Sequence, residues 1–170
     1  VNGKHYPRVQ ANNVIGGIRG RDPDLRNEVV LVGAHLDHLG TDATGRVFNG
    51  ADDNASGAAP LLALAETLVH NRWRPARTIV FVWFGAEEQG LEGSRALVAD
   101  LPFAHKAVVA MLNLDMTGQG KPEVSLGGGE GYPHLYDLAA GACPAPFAAT
   151  LTPFRVEGNS DHWPFYERGI

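Results

Sequence analysis

Acidic residues and histidines follow three short apolar runs of this sequence, at the points where the runs end. The runs cover residues 29–34, 78–84 and 108–114, and the polar residues that follow them are His35, Asp37, Glu87, Glu88 and Asp115. Short runs rich in β-branched residues are typical of buried strands, and ligands of an open α/β sheet bind at the carboxyl ends of its strands. Because a buried carboxylate is costly unless it is paired or bound to a cation, the pattern predicts a metal site at one sheet edge.

The spacing within these groups indicates different roles for neighbouring residues. His35 and Asp37 are two positions apart, so an extended strand would place them on one face, where the carboxylate could orient the imidazole of a metal-binding histidine. His38 would then point to the other face, and we expect it to be structural or exposed to solvent. The side chains of the adjacent Glu87 and Glu88 diverge, so one could bind metal while the other acts as a general base.

Two further polar groups lie where helices are expected to begin. Residues 49–57 supply several side chains able to cap a helix, although a helix needs only one cap, and a carboxylate there could bridge two cations. His162 precedes a short helix, where a lone histidine is usually structural unless it completes a ligand set. Two histidines, two aspartates and one glutamate, with one aspartate shared, suit two zinc ions with three protein ligands each and an open position for water.

The elements that would position these residues alternate between strands and helices. The patterns predict strands at residues 13–18, 28–34, 78–84, 107–114 and 123–126, and helices at 55–71, 91–99, 133–142 and 161–167. Ser160 is the expected N-cap of the last helix, and residues 145–156 allow no assignment. This order predicts an α/β fold with a mostly parallel central sheet and helices on both faces, and a single domain over residues 1–170.

Composition and charge restrict the classes of partner. The chain has 170 residues, of which 44% are hydrophobic and 19% are charged, and such a composition is typical of a globular protein. Its net charge of −5 argues against nucleic-acid binding, and no stretch reaches the length of a transmembrane helix. We therefore expect no nucleic-acid or membrane partner. The single cysteine, Cys143, makes neither an internal disulfide nor a zinc motif.

Taken together, the polar groups resemble the motifs of the co-catalytic zinc exopeptidases, a family that includes bacterial leucyl-type aminopeptidases and glutamate carboxypeptidases. The matching segments are AHLDHLG at 34–40, GADDNASG at 50–57, FGAEEQGLEGS at 84–94, NLDM at 113–116 and SDHWPF at 160–165. The resemblance implies the fold of that family and an excerpt of a longer chain, with the last strand and helix beyond Ile170. It also favours a periplasmic or secreted protein.

The resemblance implies a role for each candidate residue. It assigns His35 and Asp115 to one zinc ion, Glu88 and His162 to a second, and Asp52 to both as the bridging ligand. Glu87 is similar to the general base of the family, which takes a proton from metal-bound water and passes it to the leaving amine. Asp37 is similar to the partner that orients His35. A cis peptide bond is expected between Asp52 and Asp53.

The resulting functional prediction is a metal-dependent exopeptidase that acts on a peptide substrate. An aminopeptidase is favoured over a carboxypeptidase, but the sequence does not decide between the two. Two alternatives stay open. One is an acyltransferase that resembles glutaminyl cyclase and binds one zinc ion. The other is a non-catalytic binding module on the same scaffold. The sequence does not indicate an oligomeric state, and other divalent cations could replace zinc.

Overall fold

A four-stranded sheet carries the candidate residues. The computed structural model describes residues 10–119, 124–145 and 151–170. The strands of this sheet are β1 (Val14–Ile18), β2 (Val29–His35), β3 (Thr78–Phe84) and β4 (Val108–Asn113), in the spatial order β1-β3-β2-β4. Strand β2 pairs in parallel with both β3 and β4, whereas β1 pairs antiparallel with β3 at the edge. The prediction of a mostly parallel central sheet is therefore confirmed.

Helices cover both faces of this sheet, because successive side chains of a strand point to opposite sides. Helices α1 (Ala55–His70), α2 (Glu92–Ala99) and α4 (Trp163–Tyr166) belong to the same compact unit as this sheet, and helix α3 (Pro133–Ala142) belongs to another. On one face, Leu61 of α1 packs with Val32 and Phe81. On the other face, Leu97 of α2 and Phe165 of α4 pack in one cluster with alternate residues of β2 and β3.

A second, smaller compact unit lies between Gln119 and Asn159 in the chain. It contains a parallel pair of strands, β5 (Val124–Gly127) and β6 (Leu151–Phe154), together with α3. Strand β6 falls in the segment that the sequence left unassigned, and Glu123, the expected first residue of β5, lies outside the described residues. The other described residues, up to Gly118 and from Ser160 onward, form the first unit.

The last helix differs from its prediction. Helix α4 covers only Trp163–Tyr166, with His162 at its N-cap position, and Ser160 does not cap it with its side chain. None of the helices among the described residues is long and apolar enough to cross a membrane. The assignment of residues 1–170 to one domain of a longer chain stays a prediction.

Candidate metal centre

The carboxyl ends of β2, β3 and β4 bring the candidate residues together at the edge of the sheet. His35 is the last residue of β2, Glu87 and Glu88 follow β3, and Asp115 follows β4. The loop before α1 adds Asp53, which immediately precedes the N-cap residue Asn54. Strand direction explains why these residues lie close together. Strand β2 pairs in parallel with both of its neighbours, so all three strands end on the same side.

His35 is the centre of the first ligand group. Its imidazole is buried, and its Nε2 lies 3.2 Å from Oδ1 of Asp53, 3.4 Å from Oδ1 of Asp115 and 3.9 Å from Oε2 of Glu87. Oδ1 of Asp115 is buried and accepts no well-formed hydrogen bond from the described residues. One imidazole nitrogen among carboxylate oxygens is a donor set that zinc accepts, and a cation would satisfy the buried oxygen.

A backbone carbonyl, and not the carboxylate of Asp37, orients His35. Nδ1 of His35 lies 3.1 Å from the carbonyl oxygen of Asp37 and 3.9 Å from its carboxylate. Because a carbonyl oxygen only accepts hydrogen bonds, Nδ1 carries a proton, and Nε2 is directed at the group of carboxylates. Asp37 thus lies beside His35 as expected, and its carbonyl oxygen is nearer to the imidazole than its carboxylate is.

The Asp37 carboxylate instead fixes the loop that follows β3. Its Oδ1 accepts a hydrogen bond from the backbone N–H of Glu87 at 3.0 Å, and its Oδ2 accepts one from the N–H of Glu88 at 3.2 Å. The residue before this pair, Ala86, has a positive φ of 58°, a conformation that is uncommon outside glycine. Asp37 thus sets the positions of both glutamates, although it does so through their backbone.

His38 belongs to a second ligand group, with Asp53 and Glu88. Its Nδ1 lies 2.6 Å from Oε1 of Glu88 and 3.8 Å from Oδ2 of Asp53. The side chain of His38 is only 20% exposed, so it is not the solvent-exposed histidine of one alternative, whereas its contact with Glu88 agrees with the other, a structural role. Strand alternation does not apply to His38 because β2 ends at His35.

Asp53, and not Asp52, lies between the two groups. One carboxylate oxygen of Asp53 faces His35 and the other faces His38. Asp52 belongs to neither group, and its Oδ1 accepts a hydrogen bond from the backbone N–H of Gly118 at 2.9 Å. The placement expected for Asp52 is therefore wrong by one residue. The cis peptide bond also occurs one residue later than expected, between Asp53 and Asn54.

His162 lies near enough to Asp115 for its charge to act there, and its assignment as a metal ligand stays a prediction. It occupies the N-cap position of α4, and neither group of clustered ligand atoms found among the described residues includes it. Its charge contributes to a lowered pKa at Asp115. The neighbouring Ser160 contacts the same carboxylate, because its hydroxyl donates to Oδ2 of Asp115 at 2.6 Å and accepts from Nδ2 of Asn113 at 2.7 Å. This use of the hydroxyl explains why Ser160 does not cap the helix.

Asn54 joins the two chain segments that carry Asp53 and Asp115. Its Oδ1 accepts hydrogen bonds from the backbone N–H groups of Gly57, at 3.0 Å, and Met116, at 3.2 Å. Its Nδ2 donates to the carbonyl oxygen of Leu114 at 2.9 Å. A single buried side chain therefore caps α1 and ties the helix start to the end of β4. The sequence alone did not select Asn54 among the several possible caps in residues 49–57.

Burial and mutual charge shift the pKa values of the clustered groups. Burial raises the pKa of Glu87 to about 7, against the opposing charge of His35. Burial alone would lower the pKa of His35, but its close approach to Asp115 and the charge of Glu87 raise it to about 9. Asp161, which the sequence did not single out, is fully buried, and burial raises its pKa to about 6. A divalent cation among these groups would favour the ionised carboxylates and the neutral imidazole.

This geometry defines a class of protein, an α/β protein with a centre for divalent cations at the carboxyl ends of parallel strands. Comparison with known families identifies the family within this class. The model of peptidase family M28 matches residues 13–170, so the chain belongs to that family. The recognition of a zinc exopeptidase family from the sequence motifs is therefore confirmed.

Individual relatives are longer than this chain. A probable leucine aminopeptidase from Arthroderma otae is 41% identical over 108 residues, which are 61% of this chain and 30% of the relative. The zinc aminopeptidase BSAP from Bacillus subtilis has a TM-score of 0.71 and 29% identity, over 93% of this chain and 38% of that one. The chain thus spans about a third of the length of these aminopeptidases.

A glutaminyl cyclase from Porphyromonas gingivalis has the same fold. Its TM-score is 0.74 at 22% identity, over 93% of this chain and 60% of that one. At this level of identity the likeness concerns the fold alone. It therefore gives no preference to the acyltransferase alternative.

Proposed function

We propose that this chain carries the catalytic metal centre of an aminopeptidase, which hydrolyses the first peptide bond of a substrate with a free N-terminus. The position of Asp53 is the observation that carries the proposal. Its two carboxylate oxygens face two ligand groups, one around His35 and one around His38. A carboxylate shared in this way is what a pair of cations about 3.5–4 Å apart requires.

The proposed ligands follow from the two groups. His35 and Asp115 hold one cation, Glu88 belongs to the other, and Asp53 replaces Asp52 as the bridge. Zinc is the proposed metal, since nitrogen and carboxylate ligands suit it and the related Bacillus subtilis protein is a zinc aminopeptidase. The number of two zinc ions per chain is part of the proposal and rests on the same two groups.

Glu87 is the proposed general base. Zinc bound at such a centre lowers the pKa of water and polarises the carbonyl group of a substrate. The carboxylate of Glu87 lies beside the ligands, with Oε2 3.9 Å from Nε2 of His35, and its side chain is 12% exposed. From this position it would accept a proton from the attacking water and return it to the amine that leaves. Asp37 positions Glu87 by accepting the hydrogen bond from its backbone N–H.

Hydrolysis assays on the complete protein test this function. Purified protein is loaded with zinc and given leucine p-nitroanilide, the same substrate with an acetylated amine, and a peptide with a free N-terminal glutamine. We expect hydrolysis of the free-amine substrate alone. Release of nitroaniline from the blocked substrate would contradict the aminopeptidase assignment. Cyclisation of the glutamine would support the acyltransferase alternative, and no reaction with any substrate would support the binding module.

A further inference from the structure

We propose that Asn13 is a positioning residue for the reaction, because its side-chain amide holds both ends of the loop that carries Glu87. This inference rests on the proposed function, since it takes Glu87 as the general base. It deepens that function by naming a residue outside the metal centre on which the placement of Glu87 depends.

The loop between β3 and α2 has an unusual backbone conformation. Ala86 and Leu91 have positive φ values of 58° and 62°, which are uncommon for residues other than glycine. Within the loop, the N–H of Leu91 donates to the carbonyl oxygen of Glu87 at 2.8 Å, and the N–H of Glu92 donates to that of Ala86 at 3.0 Å. Because such φ values persist only where the surrounding structure enforces them, contacts at the ends of the loop help to determine where Glu87 lies.

Asn13 joins the two ends of this loop. It immediately precedes β1, and its Oδ1 accepts a hydrogen bond from the backbone N–H of Gly85 at 3.1 Å, directly after β3. Its Nδ2 donates to the carbonyl oxygen of Gly93 at 2.8 Å, in the first turn of α2. One amide group thus serves as acceptor for one end of the loop and as donor for the other, which a carboxylate of the same size cannot do.

The backbone around Asn13 is packed closely. A Cβ atom on Gly93 would overlap the carbonyl oxygen of Gly85 and would lie 2.5 Å from Oδ1 of Asn13. A Cβ atom on Gly85 would lie 2.7 Å from the carbonyl oxygen of Asn12. The two glycines therefore let three segments of the chain approach one another at the point where Asn13 binds to both ends of the loop.

The effect of Asn13 should fall on Glu87 more than on Glu88. The Asp37 carboxylate accepts hydrogen bonds from the backbone N–H groups of both glutamates, whereas Asn13 holds the ends of their loop. Glu88 is a proposed ligand and is also held by its cation, but the carboxylate of Glu87 has no such bond and follows the backbone. A displacement of about 1 Å from the productive geometry can lower the rate roughly 100-fold. Loss of Asn13 should therefore slow turnover and leave the metal bound.

Steady-state kinetics on matched variants of the complete protein test this inference. Asn13→Ala removes both hydrogen bonds, and Asn12→Ala is the control because the side chain of Asn12 is exposed. With leucine p-nitroanilide, at a temperature where all proteins are folded, we expect Asn13→Ala to lower kcat by about 10–100-fold. Its KM and its zinc content, measured by mass spectrometry, should stay unchanged, and Asn12→Ala should keep the kcat of the unchanged protein.

Two results with Asn13→Ala would overturn the inference. An unchanged kcat in the folded, zinc-loaded variant would show that Asn13 supports only the stability of the fold. Loss of zinc would show that it acts on the metal ligands and not on Glu87. If Asn13→Ala does not fold, Asn13→Asp replaces it, since this variant keeps the acceptor for Gly85 and loses only the donor to Gly93. A kcat of Asn13→Asp equal to that of the unchanged protein would be equally decisive against the proposal.

Hydrogen exchange tests the contact without any assay of activity. In the unchanged, zinc-loaded protein, the backbone amide of Gly85 should exchange as slowly as the amides of β3, because it donates to Asn13 and not to water. Fast exchange at Gly85 would contradict the inference. Slow exchange in a protein that hydrolyses no substrate would contradict the proposed function, while the contact of Asn13 with the loop would stand.

Discussion

Replacing Glu87 by glutamine separates proton transfer from metal binding, because the amide keeps the size of the side chain but cannot act as a base. We expect Glu87→Gln to lower kcat by about 10²–10⁴-fold, the usual contribution of general acid–base catalysis. The zinc content should stay that of the unchanged protein. Turnover and bound metal are measured on the same preparation, and full activity in a metal-loaded variant would remove Glu87 from the mechanism.

Asp52 and Asp53 form a matched pair for testing the bridge. Asp53→Asn should weaken zinc binding by more than about 100-fold. This loss exceeds the usual effect of changing a residue that only hydrogen-bonds to a metal ligand. Asp52→Asn should bind zinc as the unchanged protein does, because its Oδ1 accepts a hydrogen bond from Gly118 and an amide oxygen can accept the same bond. Titration with a fluorescent zinc competitor measures both, and equal losses in the two variants would contradict the assignment.

The choice between adjacent residues was the part of the site that the sequence could not settle. His35, Glu87, Glu88 and Asp115 come together as predicted because each lies at or just after the end of a strand whose direction follows from the apolar runs. Asp53 and His38 lie in loops, where side-chain direction has no fixed period. The roles of two adjacent aspartates such as Asp52 and Asp53 are therefore indistinguishable until the backbone is known.

Among the elements, the junction of α1 with β4 is the most sensitive to a small change. A Cβ atom on Gly57 would lie 2.3 Å from the carbonyl oxygen of Leu114 and 2.5 Å from Oδ1 of Asn54. Alanine normally stabilises a helix relative to glycine by about 0.5–1 kcal/mol. Here we expect Gly57→Ala to lower the free energy of unfolding by about 1–3 kcal/mol, the range found for overpacking, and to weaken zinc binding.

Gly141 in α3 provides the control for this substitution. No atom lies within 4 Å of a Cβ placed there, so Gly141→Ala should be neutral or stabilising by up to about 1 kcal/mol. Denaturant unfolding, with and without zinc, measures both variants. Equal effects of the two substitutions would show that helix propensity, and not contact with Leu114, determines the result.

The elements themselves were more predictable than the site. Strand β3 and helix α3 have the predicted bounds, and β2, α1, α2 and β4 differ from theirs by a single residue at one or both ends. Apolar runs and helical periodicity extend over many residues, so they outweigh local exceptions. Helix α4 was predicted too long because the hydroxyl of Ser160 binds Asp115 and does not cap the helix. Strand β6 contains Pro153, and a proline within a segment argues against predicting a strand there.

At the scale of the whole molecule, zinc binding should raise the free energy of unfolding. Several carboxylates meet around His35, and they repel one another unless a cation is bound. Removal of zinc with a chelator should lower the Tm, and zinc should restore it in a concentration-dependent manner. At a free concentration of 100 times the Kd, one site contributes about 2.7 kcal/mol. Calorimetry measures this effect, and a Tm that zinc does not change would contradict the linkage.

The contact between Ser160 and Asp115 has a consequence for how this protein can diverge. The hydroxyl of Ser160 lies 2.6 Å from Oδ2 of Asp115, so the chain leaves the metal centre after β4 and comes back to the same carboxylate. The residues between Gln119 and Asn159 form their own compact unit, and none of the proposed ligands lies in it. Sequence changes between Gln119 and Asn159, including insertions and exchange of the whole segment, can therefore accumulate without altering a ligand. We expect it to be the part of this chain where related proteins acquire new properties while the metal chemistry is inherited unchanged.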